Sequence, residues 1–232
     1  MVPINDDNPT RIRPFVTYVL IGLNIAIFFY EVQLSPEALE QFFQQYGMVP
    51  QDLTLALASG DPNQISSEIA TLFTSQFLHG DIVHLAGNML FLWVFGNNIE
   101  DQLGHFRFIL FYLLCGALAA LTQWFFMMES TIPSIGASGA IAGVLGAYIL
   151  RFPKARVLTL IPLGFFIYPA RIPAIFFLGF WFIQQAFFGL ASLQAEANLG
   201  MEGGIAYWAH AGGFVFGALL GPILGLFSDK SQ

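Results

Sequence analysis

Three places in the chain carry side chains that chemistry uses. Ser138 stands in IGASGAIAGVLGAY (135–148), with Gly136 before it and Gly139, Gly143 and Gly146 after it. His210 stands in GIAYWAHAGGFVFGALLG (204–221), followed at intervals of four by Gly213, Gly217 and Gly221. His84 and Asn88 lie in GDIVHLAGNMLFLWVFG, four residues apart and so on one face of a helix, with His79 just upstream. A serine and a histidine within hydrogen-bond reach are the minimum apparatus for nucleophilic catalysis, because a neutral imidazole takes the hydroxyl proton as the oxygen attacks a carbonyl. Each residue also has a plainer use: Ser138 as a helix N-cap, His210 as a packed or interfacial histidine, His84 and Asn88 as an interhelical hydrogen bond. The start of a helix serves both readings of Ser138, since its unpaired N–H groups and positive dipole end suit a developing oxyanion. Asp81 and Glu129 are not placed beside His210, so the pair reads as a dyad without a third acid.

The elements that must hold these residues are membrane spans. Of the 232 residues, 56% are hydrophobic and only 10% charged, with a mean hydropathy of +0.67. A water-soluble domain of this length needs far more surface charge. A span takes about 20 mostly apolar residues, and the candidates are 14–34, 82–99, 106–128, 138–151, 172–190 and 206–226. The expected fold is therefore all-α, a polytopic bundle of six transmembrane helices. A long outer connection, about 35–78, joins spans 1 and 2, and EALEQFFQQYG and DLTLALASG within it read as amphipathic helices at the interface. The apolar stretch 157–170, interrupted by Pro162 and Pro169, reads as an interfacial or re-entrant connection. The domain reading is a short cytoplasmic segment 1–13, a membrane domain 14–226 and a cytoplasmic tail 227–232.

Lysines and arginines set the orientation, because they accumulate in cytoplasmic loops. Six spans with the N-terminus inside put all eight (Arg11, Arg13, Arg107, Arg151, Lys154, Arg156, Arg171 and Lys230) on the inner side. A seventh span after Arg156 would strand Arg171 outside. The net charge of −7 comes from acids scattered over connecting segments, not from a tail. The lone cysteine, Cys115, lies in an apolar run and excludes an intramolecular disulfide. In this topology Ser138 and His210 both lie at the outer ends of their spans. The glycines after His210 form a stripe that admits close backbone approach, and Gly139 and Gly143 form another. Packing stripe on stripe brings Ser138 and His210 together.

With these residues in place the chain resembles the rhomboid intramembrane serine proteases. The resemblance runs from about residue 70 to the C-terminus on three motifs in order. They are His79, His84 and Asn88 as H-x4-H-x3-N; Gly136, Ala137, Ser138 and Gly139 as G-x-S-G; and Ala209-His210 followed by Gly213 and Gly217. It implies Ser138 as nucleophile and His210 as general base. It also implies an oxyanion hole from His84, Asn88 and the Ser138 N–H, a close-approach role for Gly136, and a structural role for His79. Substrates would be transmembrane proteins cut near the outer membrane face, admitted through a gate formed by the fifth span and the loop ASLQAEANLGMEGG (191–204). Two departures stand out. Where many relatives carry Trp-Arg in the long outer loop this chain has Ala70-Thr71, so the loop must be anchored differently. An aromatic residue that packs on the catalytic imidazole is Ala142 here, leaving Tyr207 or Trp208 as substitutes.

The alternative function is a proteolytically inactive rhomboid-like protein that binds membrane clients, although such relatives usually lack the serine or histidine. A transporter or channel would show a repeat or paired broken helices, and neither is visible. No cofactor or metal is implied, because the histidines lack companion ligands at metal spacing. No nucleotide or nucleic acid is implied, and the expected partners are membrane lipid and transmembrane substrates. With short loops and no visible targeting segment, the resemblance implies a prokaryotic plasma membrane as the expected location.

Overall fold

The structure, a computed structural model, describes residues 1–164, 166–199 and 206–228. Strand β1 (Val2–Asp6) leads into α1 (Phe15–Glu31). The long connection folds as three short helices, α2 (Pro36–Tyr46), α3 (Pro50–Ser59) and α4 (Pro62–Thr74). Each begins with proline in its first turn, where the missing N–H costs nothing. Then follow α5 (Ile82–Phe91), a π-helical turn (Leu92–Gly96), α6 (Asn97–Leu103), α7 (His105–Phe126), α8 (Ser138–Arg151), a hairpin of β2 (Arg156–Leu163) and β3 (Phe166–Pro173), α9 (Ala174–Leu199) and α10 (Tyr207–Ile223). Among the described residues, three stretches are long and apolar enough to cross a membrane: Ile82–Leu103, His105–Phe126 and Ala174–Leu193. Phe15–Glu31 and Ser138–Arg151 are apolar but shorter.

The expectation of an all-α chain fails at 157–170. That stretch is not a re-entrant loop but the core of a three-stranded antiparallel sheet of order β1-β2-β3. Its prolines stop a helix, its β-branched residues Val157, Thr159, Ile161 and Ile167 favour extended backbone, and Gly164 turns the hairpin at φ +63°. The segment 1–13 likewise carries a paired strand, with Asp6 opposite Val157 and a register shift between Pro3 and Asn5. Asp6 accepts from Asn98 Nδ2 at 2.9 Å and from the Tyr148 hydroxyl, fastening the sheet to α6 and α8.

The same end of the bundle carries a second polar anchor. Buried Glu100 on α6 accepts from the N–H groups of Val16 and Thr17 at 2.9 and 2.7 Å and from the Thr17 hydroxyl at 2.6 Å. These are orphan donors of the first turn of α1, which has no side-chain cap of its own. Asp101 accepts from the N–H groups of Arg11 and Ile12, both at 2.9 Å.

The centre of the molecule is α8, buried continuously from Gly139 to Tyr148. Alpha-carbon hydrogens replace side chains where it meets α10. A Cβ on Gly146 would lie 2.0 Å from the Phe214 carbonyl oxygen, and one on Gly213 would lie 2.1 Å from that of Gly139. Lipid supplies no hydrophobic force between helices, so such close packing is what holds them. With 14 residues, α8 rises about 21 Å against a hydrocarbon core of roughly 30 Å.

Candidate active site

Ser138 is the first residue of α8, and the N-cap position belongs to Ala137. Its hydroxyl is thus not spent on capping and instead meets His210 Nε2 at 2.7 Å. The two are brought together by the expected contact of glycine stripes between α8 and α10. On the other side of the imidazole, Nδ1 meets Gln185 Oε1 of α9 at 2.8 Å. Trp181, one helical turn before Gln185, lays its ring 5.9 Å from the His210 ring at 35°. The aromatic neighbour of His210 is thus Trp181. Trp208 stacks on Phe126 at 3.8 Å, and Tyr207 lies against Phe188.

His84 and Asn88 come from α5, whose first turn is capped by Asp81. The Asp81 carboxylate accepts from the N–H groups of Val83 and His84 at 2.7 and 2.8 Å. The His84 N–H bond in particular holds this carboxyl below the usual range. His84 and Asn88 line one cavity of about 640 Å³ together with Ser138, Trp181 and His210. Gly136 lies between them and the serine, at φ +123°. A Cβ there would fall 2.7 Å from His84 Nε2 and 3.6 Å from Asn88 Nδ2. The Gly136 N–H donates to Ser75 O at 2.8 Å, which ties the loop before α8 to the end of the long connection between α1 and α5.

His79, expected to be structural, is almost wholly buried beneath this site. Asn88 Nδ2 donates to His79 Nε2 at 3.0 Å, and the His79 N–H is shared between the two oxygens of Glu31, each at 3.3 Å. The long connection between α1 and α5 is anchored without the Trp-Arg pair. Trp124 Nε1 donates to the Thr54 hydroxyl at 2.9 Å, Thr54 donates to Met128 O at 2.9 Å, and Met48 and Ser134 exchange backbone bonds of 3.1 and 2.8 Å. The expected gate loop, 191–204, is helical through Leu199 as part of α9. Its remainder, with Gly203 and Gly204, lies outside the described residues. Among the described residues no group of three or more His, Cys, Asp or Glu side chains is gathered for a metal.

Gln185, Trp181 and Glu31 are the residues that sequence reasoning missed. The signal for the first was present: Gln184-Gln185 is a polar pair inside an apolar span, where an amide needs a partner.

A family model described as Rhomboid domain matches residues 66–227. The chain is 31% identical to "Rhomboid protein 1, mitochondrial" of Saccharomyces cerevisiae over 94% of its own length and 55% of the yeast protein. It is 32% identical to "Rhomboid protease GluP" of Bacillus subtilis over 94% of its own length and 37% of that protein. Identity to "RHOMBOID-like protein 6, mitochondrial" of Arabidopsis thaliana is also 32%, over 66% of this chain and 43% of the plant protein. The chain belongs to the rhomboid family, most of whose members are intramembrane serine proteases, and it is accordingly a multi-pass membrane protein. It spans 37 to 55% of the length of these three relatives.

Proposed function

We propose that the chain is an intramembrane serine endopeptidase that hydrolyses peptide bonds of transmembrane proteins near the outer membrane face. The observation that carries this reading is the 2.7 Å approach of Ser138 Oγ to His210 Nε2 inside a cavity that His84 and Asn88 also line. Ser138 Oγ attacks the substrate carbonyl carbon while His210 Nε2 takes the hydroxyl proton. The carbonyl oxygen becomes an oxyanion, held by the Ser138 N–H at the start of α8 and by the side chains of His84 and Asn88. Collapse breaks the C–N bond, and His210 returns the proton to the leaving amine. A water then attacks the Ser138 ester, gives its proton to His210 and frees the carboxylate product and the serine.

A helical substrate hides its carbonyls in its own hydrogen bonds, so the segment cut must unwind, and glycine or other helix-weakening residues lower that cost. Six spans and cytoplasmic termini fit the clustering of basic residues at the sheet end. Arg11 lies against Asp101 there, Arg151 donates to Gln102, and the Arg156 N–H donates to Asp7. The membrane in this reading is a prokaryotic plasma membrane.

Wild type and Ser138→Ala, each purified in lipid, test the reading with a transmembrane substrate carrying small, helix-weakening residues near its outer end. Fragments are identified by mass spectrometry. Cleavage that vanishes in the folded alanine variant is the expected result. Equal cleavage by both removes Ser138 from the chemistry, and no cleavage by either across several substrates favours a client-binding protein.

A further inference from the structure

The geometry points to Gln185 as a third member of the site, a positioning residue that fixes the tautomer and orientation of His210. The inference rests on the reading of Ser138 and His210 as nucleophile and base. A neutral imidazole carries one proton on two nitrogens. If the proton is on Nε2, the ring donates to the serine hydroxyl and cannot accept its proton. Gln185 Oε1, 2.8 Å from Nδ1, accepts a hydrogen bond from an Nδ1–H and so favours the tautomer whose bare Nε2 faces Ser138 at 2.7 Å.

The setting of Gln185 supports a specific task. Gln185 is only 8% exposed, whereas Ile183 and Phe187 on the same helix are 66% and 65% exposed. A buried amide in a span is costly unless it is bonded, and any apolar side chain would fill the space at lower cost. Trp181 stands four residues earlier on the same helical face and meets the same ring. Helix α9 therefore touches His210 at two points, one a ring surface and one an acceptor. Because the acceptor is an amide, it orients the imidazole without adding the negative charge that a carboxylate supplies to the imidazolium. The apolar window of α9 is 28% buried, against 50% and 44% for Ile82–Leu103 and His105–Phe126. The competent tautomer thus depends on the seating of the most peripheral of the three long helices.

The test has two readouts on wild type, Gln185→Leu and Gln185→Glu, with Gln185→Met as a second acceptor-free variant should the leucine variant misfold. Nitrogen-15 spectra of histidine-labelled protein report the His210 tautomer, assigned by its loss in His210→Ala. Kinetics on a transmembrane substrate separate kcat from KM. The Nδ1-protonated form is expected in wild type and in Gln185→Glu, which keeps an acceptor at the same reach, and mixed tautomers in Gln185→Leu. The leucine variant is expected to lose roughly 10-fold in kcat, the weight of one orienting hydrogen bond, with KM within about twofold, and Gln185→Glu to recover most of it. An unchanged tautomer in Gln185→Leu overturns the proposal, as does an equal loss of kcat in the leucine and glutamate variants, which marks a packing role. A tautomer that follows residue 185 while Ser138→Ala still cleaves leaves the hold on the ring intact and removes the catalytic reading instead.

Discussion

The carbonyl oxygen of Gly143 lies 1.9 Å from the point that a Cβ on Gly217 would occupy. Backbone faces backbone there, so no side chain can yield. Gly217→Ala is expected to push α10 off α8 and to destabilise the protein by at least about 3 kcal/mol, at the upper end of overpacking costs. Gly22 has nothing within 4 Å of its Cβ position, and Gly22→Ala is expected to be neutral or to stabilise by up to about 1 kcal/mol. Unfolding of both variants in one detergent gives the comparison, and equal effects would show that the contact is not as tight as described.

Gly136 combines φ +123° with a side-chain position 2.7 Å from His84 Nε2. Gly136→Ala should therefore both strain the loop, at about 1–3 kcal/mol, and displace the proposed oxyanion donors. Turnover is expected to fall about 100-fold or more while the variant still folds. A variant that melts early but turns over normally would separate the loop from the chemistry.

Asn88 and His79 share a hydrogen bond but sit at different distances from the reaction. Asn88→Ala is expected to lower turnover by about 100- to 1000-fold, the usual weight of an oxyanion donor, with little change in melting. His79→Ala should cost only about 10-fold through loss of Asn88 orientation, yet melt lower because it empties a buried site. Measuring kcat and melting temperature on both variants checks this ordering.

The sheet should respond to pH through Asp6. Burial pushes its carboxyl up to about 6, against the pull of the Tyr148 hydrogen bond. A carboxyl raised in the folded state adds stability that is complete below its ordinary pKa of about 4 and is lost as pH rises through about 6. Wild type should accordingly lose stability relative to Asp6→Asn between about pH 4 and 6. Melting curves of both proteins over that window, with trypsin cutting after Arg11 as a local probe, measure it. Parallel curves would leave Asp6 without the expected role.

Much of the site was legible because lipid makes polar residues conspicuous. Ser138, His84, Asn88 and His210 stand out in apolar runs, and the four-residue spacing of glycines on α8 and α10 announces their contact. Gln185 is harder to find in the sequence because a neutral amide carries no charge to mark it within an apolar run, although it can orient an imidazole. The sheet was missed for a different reason. Hydropathy measures burial rather than backbone shape, and 157–170 is as apolar as a span while its prolines and β-branched residues favour strands. Nothing local in VPIND predicts a partner, because β1 acquires its meaning only from residues at the far side of the chain.

That distance bears on how the protein is made. Asp6 pairs with Val157, so β1 leaves the ribosome well before its partner exists. At about 5–20 residues per second, the wait is on the order of 10 s, during which the first helices are already being handed to the membrane. Closing the sheet then joins β1 to the connection between α8 and α9, after α8 itself has been synthesised. The N-terminal strand acts as a clasp fastened late in assembly, and a nascent chain stalled before β2 would display it unpaired.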